Sequence, residues 1–414
     1  MTIFLRKFPN NVLTLPVLVN SLENVFKADN LNCSYFSSME ELGKLSNSQD
    51  KTFYVAYSFM TTEAEKVYDE VKQIRGLLKN KKYLILGGGS HLNGDETNHF
   101  GFDYVFSGYS EESFPYFLKD LESGPAGYLN KKYSLRNKTV YPFLPPVFDN
   151  SYPFTKSLVT LPPLEIMRGC RWKCNFCQTG TLTKSVLNLQ IRSLESVEKY
   201  LVYLKNKGVR RVNFISPNAF DYKLPGETVS NSIKKLLLLC AGYKFDFIEY
   251  GIFPSEVRPE SVTGETAGLV KEYCGNKIIT LGAQSGNDKM LKSINRTHTV
   301  EDIIKASRVV YEHGLVPNID FIIGFPEESR QDRRDLFNLI KTLSKDFRAK
   351  IQMHYFIPLP GTKFYSKNPA PIDVETFNDL EKLTADGIIS NWWKNGVKLS
   401  GQVVKFRDYL RSKA

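Results

Sequence analysis

Residues 164–180 read LEIMRGCRWKCNFCQTG. An apolar, strand-like start, LEIMRG, runs directly into three cysteines spaced C-x3-C-x2-C, at Cys170, Cys174 and Cys177. Downstream, the same passage from strand to helix repeats. VRRVNFIS, FDFIEYGIF, KIITLGAQS, VPNIDFIIGF and KIQMHYFIPL read as five further strands. SLESVEKYLVYLKNKG (193–208) and SRQDRRDLFNLIKTLSKDF (329–347) lie between strands and carry apolar residues at helical spacing. Six βα units predict a partial (β/α)6 barrel of the TIM type, not fully closed, over 164–368. Such barrels keep their chemistry at the C-terminal ends of the strands, which is where the cysteine trio stands.

Upstream, TIFLRKF, CSYFS, KTFYVAYSF, KYLILGGG and YVFSGY read as strands, with TEAEKVYDEVKQIRGLLKN (62–80) a clear amphipathic helix among the connections. Five short β/α units predict a flavodoxin-like, Rossmann-type doubly wound domain over 1–124. Residues 125–163 are rich in Pro, Gly and aromatics and read as an extended linker, because proline fixes φ and removes a donor. The tail 369–414 reads as a small helical cap, with Trp392-Trp393 as packing residues. The fold class is therefore α/β throughout.

The chain has 414 residues, 42% hydrophobic and 24% charged, a globular profile. No apolar run approaches the roughly 18–20 residues needed to span a bilayer, and the start lacks the pattern of a secretory signal, so no membrane span and a cytoplasmic location are expected. The net charge of +11 is uneven: residues 1–150 hold 16 Lys+Arg against 17 Asp+Glu, and the remainder 39 against 27. The basic residues are dispersed, which favours a solvated surface over a nucleic-acid site.

Of six cysteines, three fall within eight residues and Cys33, Cys240 and Cys274 are scattered. Disulfide scaffolds are short and spread their cysteines, so the trio reads as metal ligation in a reducing compartment. Thiolates ligate iron–sulfur clusters, and three on one loop can hold three irons of a 4Fe-4S cubane while leaving the fourth open. Structural zinc would want a fourth ligand and no suitable pair follows. A C-x-x-C redox site would leave Cys170 unexplained. A four-cysteine cluster would have to recruit Cys33, Cys240 or Cys274.

The trio resembles that of the radical SAM superfamily, whose open iron binds S-adenosyl-L-methionine (SAM). Further segments match in order. Phe176 stands where the family has an aromatic residue beside the adenine. FISPNAFDY (214–222), with Ser216 and Asn218, takes the place of the contact to the methionine amino group, though without the usual Gly-Gly-Glu wording. GAQSGN (282–287) is similar to a segment near the SAM ribose, with Gln284 and Ser285 matching. DFIIGFPEES (320–329), with Ile323 and Gly324, looks like the adenine-contacting strand, and IPLPGT (357–362) like a motif of the cobalamin-associated branch. The resemblance implies reductive cleavage of SAM to a 5′-deoxyadenosyl radical and a low-potential electron donor such as ferredoxin or flavodoxin.

GGGSHLNGDETNHFGFDYVFSGYSEESF (87–114) resembles the cobalamin-binding domain that precedes many such barrels. The resemblance places Gly87, Gly88, Gly89 and His91 against the cofactor's nucleotide tail and Gly108 near the domain boundary. A ligand-free domain whose glycine turn merely connects elements is the alternative, and His99 reads as surface helix. The Asp-x-His-x-x-Gly segment that supplies an imidazole to cobalt is absent. The whole chain is most similar to an archaeal-type group of cobalamin-domain radical SAM proteins. The expected reaction is cobalamin-dependent, with methylation of an unactivated carbon as one form. Other radical SAM chemistry and a non-catalytic iron–sulfur electron carrier are the alternatives. A small molecule, lipid or peptide is favoured over RNA as substrate. Among other polar residues, Glu327 and Glu328 read as loop carboxylates, Arg168 as a partner of a barrel carboxylate or of the cluster loop, and Tyr222, Tyr250 and His354 as candidates to face the cavity.

Overall fold

A computed structural model describes residues 1–26, 30–47, 49, 51–94, 100–123, 132–142, 147–155, 163–182 and 189–413. His99 and residues 125–131, 143–146 and 156–162 of the stretch read as linker lie outside them. The chain divides into two compact units, one formed by Met1–Pro162 with Thr181–Leu187 and Leu359–Gly361, the other by the remaining residues.

The first unit is built on β1 (Thr2–Arg6), α1 (Thr14–Val25), β2 (Asn32–Phe36), α2 (Met39–Asn47), β3 (Phe53–Ser58), α3 (Ala64–Leu77), β4 (Tyr83–Gly88), the short α4 (Ser90–Gly94), β5 (Tyr104–Phe106) and α5 (Ser113–Ser123). The parallel strands are ordered β2-β1-β3-β4-β5, the flavodoxin-like arrangement. Helices cover both faces, so the central strands are apolar on both sides. Ile3, Leu5, Tyr54 and Ala56 pack under α1 and α5 with Leu15, Val19, Phe114 and Phe117. At the C-terminal end of β1, Arg6 forms a buried two-pronged pair with Glu70 of α3, at 2.8 and 2.7 Å.

One element departs from the expected linker. β6 (Tyr133–Arg136) and β7 (Thr139–Pro142) form an antiparallel hairpin, and β7 pairs in parallel with β5, extending the sheet. The two turn residues, Asn137 and Lys138, both have positive φ (45° and 65°), the backbone that lets a two-residue loop follow the strand twist. Val140 and Tyr133 join the core, which offsets the ordering of a segment whose prolines argue against strand.

In the second unit the expected first strand is split. β8 (Leu164–Glu165) joins the barrel, while β9 (Met167–Arg168) turns away to pair antiparallel with β10 (Gln190–Ile191), after the short α6 (Thr179–Leu182). Then follow α7 (Leu194–Asn206), β11 (Arg211–Ile215), α8 (Val229–Gly242), β12 (Phe247–Glu249), α9 (Gly264–Tyr273), β13 (Ile278–Gln284), α10 (Asp288–Ser293), α11 (Val300–Glu312), β14 (Val316–Ile323), α12 (Arg330–Phe347), β15 (Lys350–Tyr355), α13 (Val374–Ala385) and α14 (Trp392–Arg411). Ser193, Thr228, Thr299 and Ser329 cap α7, α8, α11 and α12 by accepting a bond from a backbone N–H of the first turn.

Six parallel strands thus run β8-β11-β12 and β13-β14-β15. The two triplets are joined where the Thr280 N–H donates to the Gly251 carbonyl (2.8 Å) and Val257 bridges to Leu281. Alternation separates the faces. Ile319, Phe321, Ile323, Ile351 and Met353 are buried. Thr280, Gly282, Asn318, Asp320, Gln352 and His354 share the opposite face, on strands in matching register. The tail is helical as expected, but of the two tryptophans read as packing residues only Trp393 is buried, against Phe377, while Trp392 is exposed. Among the described residues no helix is long and apolar enough to cross a membrane.

Candidate active site

The cysteine loop follows β9 at the C-terminal end of the barrel's first strand. Its conformation is held from outside by backbone-directed bonds. Asn175 N–H donates to the Ile294 carbonyl (3.0 Å) and its side chain to that of Ser293 (2.7 Å). Asn295, at φ 59°, donates to the Lys173 carbonyl (2.6 Å), and Phe364 N–H to that of Asn175 (3.1 Å). Gly180 is required here, because a Cβ would stand 2.2 Å from the Trp172 carbonyl oxygen.

Cys174 is buried, and Cys170 and Cys177 half-buried. The Cys170 thiol is pushed up by burial, held in check by a backbone bond, and raised further by the charges of Cys177 and Cys174. Among the described residues no three His, Cys, Asp or Glu side chains converge as a single-ion site needs. A cubane makes a different demand, one thiolate for each of three irons, and soft thiolates are its usual donors.

Two guanidinium groups reach the buried thiol. Arg258 Nη1 lies 3.8 Å and Arg296 Nη1 3.7 Å from Cys174 Sγ. Arg258 is 4% exposed, stacks 4.1 Å over the Trp172 ring, pairs with Glu260 (2.6 Å) and donates to Thr297 (3.0 Å). Burial raises the Glu260 carboxyl, but the bond from His298 and the charge of Arg258 outweigh it and hold the group at about 2. Arg296 also donates to the Gly282 carbonyl, while its Nε is buried without a partner. A buried cationic donor without an acceptor is costly unless an anionic ligand completes it.

On the open face of the barrel stands a second group. Asp320 lies 3.9 Å from half-exposed His354, whose ring it makes more basic. Burial and the charge of Asp320 push the Glu256 carboxyl up to about 7, against His354 and Arg296.

The residues singled out from sequence fall around these groups. Asn218 accepts from the Arg258 N–H (3.1 Å) and donates to Ser261 (3.0 Å), fixing the segment that carries Arg258. Ser216 bonds Ser255 at 2.5 Å. Gln284, at φ 73°, ends β13 at a bulge, and Ser285 behind it is buried. Phe176 packs on Phe325 with ring centres 5.3 Å apart, next to Gly324. At Gly324 φ is 81° and a Cβ would meet the Tyr355 ring at 2.3 Å. Ile323 is fully buried on the far face, so Ile322 shares the side of Asp320.

Several other candidates are structural. Tyr222 donates to the Arg192 carbonyl and Tyr250 to that of Ala219, both fully buried. Arg168 pairs with Glu165 (2.8 Å). Glu328 is buried against Arg333 and the Gly324 N–H, and Glu327 pairs with Lys367.

In the first unit, the glycine turn is used largely by the protein itself. A Cβ at Gly87 would strike Phe102 and Leu92 at 2.7 and 2.8 Å, and one at Gly89 the Phe59 backbone at 2.5 Å. Gly88 is freer, with nearest atoms at 3.8 Å. Gly108, at φ 71°, donates its N–H to Asn93 (2.7 Å). His91 is 2% exposed, with Phe59 and Phe100 against its ring and Thr61 3.3 Å from Nδ1. Its Nε2 is buried without a partner, and burial lowers the ring to about 4.

Arg258, Arg296, Glu256 and Asp320 were not singled out from sequence. The available signal was an aspartate inside the otherwise apolar strand VPNIDFIIGF, and charged residues in the loops SEVR, after β12, and NRTHT, after α10.

Residues 164–340 match the radical SAM superfamily, and the barrel is a radical SAM domain. A protein of Methanocaldococcus jannaschii described as uncharacterized is 25% identical over 261 residues, 54% of this chain and 50% of that one. A tRNA-2-methylthio-N(6)-dimethylallyladenosine synthase of Chromohalobacter salexigens is 30% identical over 207 residues, 48% of this chain and 43% of that one. The chain thus spans half or less of the length of these two relatives. Among solved structures, TsrM of Kitasatospora setae, a radical S-adenosylmethionine methyltransferase with cobalamin and a 4Fe-4S cluster bound, aligns with a TM-score of 0.66 at 14% identity, over 90% of this chain and 79% of that one. The shared architecture is that of both units, the doubly wound sheet and the partial barrel.

Proposed function

We propose that the chain is a radical SAM enzyme that also uses cobalamin, with Cys170, Cys174 and Cys177 as ligands of a 4Fe-4S cluster. The observation that carries this reading is the junction of the three thiols with two buried guanidiniums at Cys174, one of them with an unanswered Nε. Reduced, such a cluster supplies the electron that cleaves SAM to methionine and a 5′-deoxyadenosyl radical.

The chain's own residues do the rest. Arg258 and Arg296 offset the negative charge of the thiolate set, and Arg296 is placed to receive a carboxylate. Asp320 and Glu256 offer acceptors to hydroxyl groups from the open face of the barrel, while Phe176 and Gly324 present a ring and a bare backbone to a flat base. Ser216 and Asn218 stand after β11, and Gln284 and Ser285 at the end of β13. A reducing, cytoplasmic setting suits exposed iron–sulfur chemistry.

Cobalamin is supported by the aligned methyltransferase and by two half-buried glycines, Gly88, which ends β4, and Gly108, which follows β5. It supplies methyl-transfer chemistry when bound. A small molecule, lipid or peptide remains the favoured substrate. RNA is the second reading, favoured by the tRNA-modifying relative. Cys33 is the lone cysteine of residues 1–162, and burial pushes its thiol up to about 12, a poor ligand for a second cluster.

No histidine stands in the loop after β1. Asn11 fills it, accepting from Phe8 N–H and donating to the Arg6 and Ser58 carbonyls. The protein loaded with cobalamin in its cobalt(II) form is therefore expected to show a paramagnetic resonance spectrum without splitting from a protein nitrogen, unchanged in His91→Ala. Splitting that disappears in His91→Ala would contradict this assignment, and failure to bind cobalamin would remove the cofactor from the reading.

A further inference from the structure

We propose that the outer face of the cysteine loop is the docking surface for an acidic electron-carrier protein, of the flavodoxin or ferredoxin type. The proposal rests on the cluster assignment above and concerns how the electron arrives.

Lys173, Lys292 and Lys363 are exposed. The segments that carry them are tied to one another through the loop. Asn295 holds the Lys173 carbonyl, Asn175 holds the Ser293 carbonyl beside Lys292, and Phe364, beside Lys363, donates to the Asn175 carbonyl. Three exposed lysines are therefore carried by segments that meet at Asn175, one residue from Cys174.

Their charge is unanswered. Nearby Arg171 is paired with Asp221 and Lys367 with Glu327, but none of the three lysines has a carboxylate within ion-pairing distance among the described residues. The other basic stretch of this unit is different. At the opposite ends of β11 and β12, Arg210 is paired with Asp246, Arg211 with Glu249, and Lys205 lies 4.9 Å from the Phe245 ring centre. It is a self-satisfied surface and lies at the wrong end of the strands.

Electron transfer weakens steeply with distance, so a carrier must reach the protein surface nearest the cluster. The loop offers that surface, since Lys173 and Cys174 are adjacent in the chain. The step is simple in balance. The reduced carrier loses one electron, the cluster gains it, and no bond or proton changes hands across the interface. Unpaired cations at such a surface attract and orient an acidic partner.

The test uses the full chain, iron-loaded and iron-free, with purified flavodoxin as the probe. Binding is measured against salt, contacts are mapped by zero-length carbodiimide cross-linking, and the rate at which reduced flavodoxin reduces the cluster is followed optically. Reversal of the three lysines (K173E, K292E and K363E together) is expected to weaken binding on the order of tenfold or more at low salt. The reduction rate should fall in step, while iron content and reduction by dithionite remain. The control K341E with K382E should change neither. Cross-links should fall on Lys173, Lys292 or Lys363. Undiminished binding after reversal, or cross-links confined to Lys205 on the opposite side, would overturn the proposal. So would displacement of flavodoxin by transfer RNA at physiological salt, which would assign these cations to nucleic acid. If no cluster assembles, the cluster reading fails on its own, while binding to the iron-free chain still decides the surface.

Discussion

Alanine at any one of Cys170, Cys174 or Cys177 is expected to reduce bound iron to background and to abolish SAM cleavage. Alanine at Cys33, Cys240 or Cys274 is expected to change neither. The difference follows from surroundings. The thiolate is the ligand, so a site must favour the anion. Cys174 has two guanidiniums within 3.8 Å. Cys240 is fully buried in α8, where burial and Cys274 push its thiol far up, and burial with Glu249 holds Cys274 at about 12. Among the described residues neither has a cation to offset an anionic charge. Iron analysis and the visible spectrum of each anaerobically reconstituted variant check the expectation. Equal loss in Cys240→Ala or Cys274→Ala would mean a fourth protein ligand and no open iron.

Replacing Arg258 with Met should be nearly as damaging, by a different route. The stem volume is kept, but Glu260 loses its partner, Thr297 its donor and the Trp172 ring its cation. Breaking a buried pair from one side costs about 3–5 kcal/mol. Glu260 favours the folded state while it is ionised, because its carboxyl is held at about 2, below the unfolded range. That contribution is present above about pH 4.5 and is lost as the pH falls towards 2. In Arg258→Met the carboxyl should titrate nearer its unfolded value, so this contribution is missing at neutral pH and the variant's deficit against the parent should shrink on acidification. Denaturant unfolding at neutral pH and at pH 4 measures both effects. An unfolding midpoint equal to that of the parent protein would show that Arg258 is not the hub of this cluster.

The two α/β units were legible because strand and helix periods alternate cleanly, and the first sheet has the strand order that such alternation suggests. The hairpin at 133–142 was hidden by its composition. Prolines and glycines flank it, and its turn uses Asn137-Lys138 where Asn-Gly is the common signal. The split of the first barrel strand was equally hidden, since Ile166 interrupts LEIMRG without any change of pattern. At the site, the cysteines could be read because they are contiguous. Glu256 and Arg258 share the segment after β12, Arg296 follows α10 and Asp320 lies within β14, so the four meet only when the barrel forms. His91 was visible as a histidine after glycines, but its enclosure by Phe59 and Phe100 depends on chain folding back from either side.

The central claim is tested most directly by incubating the anaerobically reconstituted protein with SAM and dithionite and measuring 5′-deoxyadenosine. The account predicts its formation with an equal amount of methionine, and its absence in Cys174→Ala. A fully loaded cluster that is reduced by dithionite yet yields no 5′-deoxyadenosine, and whose spectrum is unmoved by SAM, would contradict it and leave an iron–sulfur electron carrier.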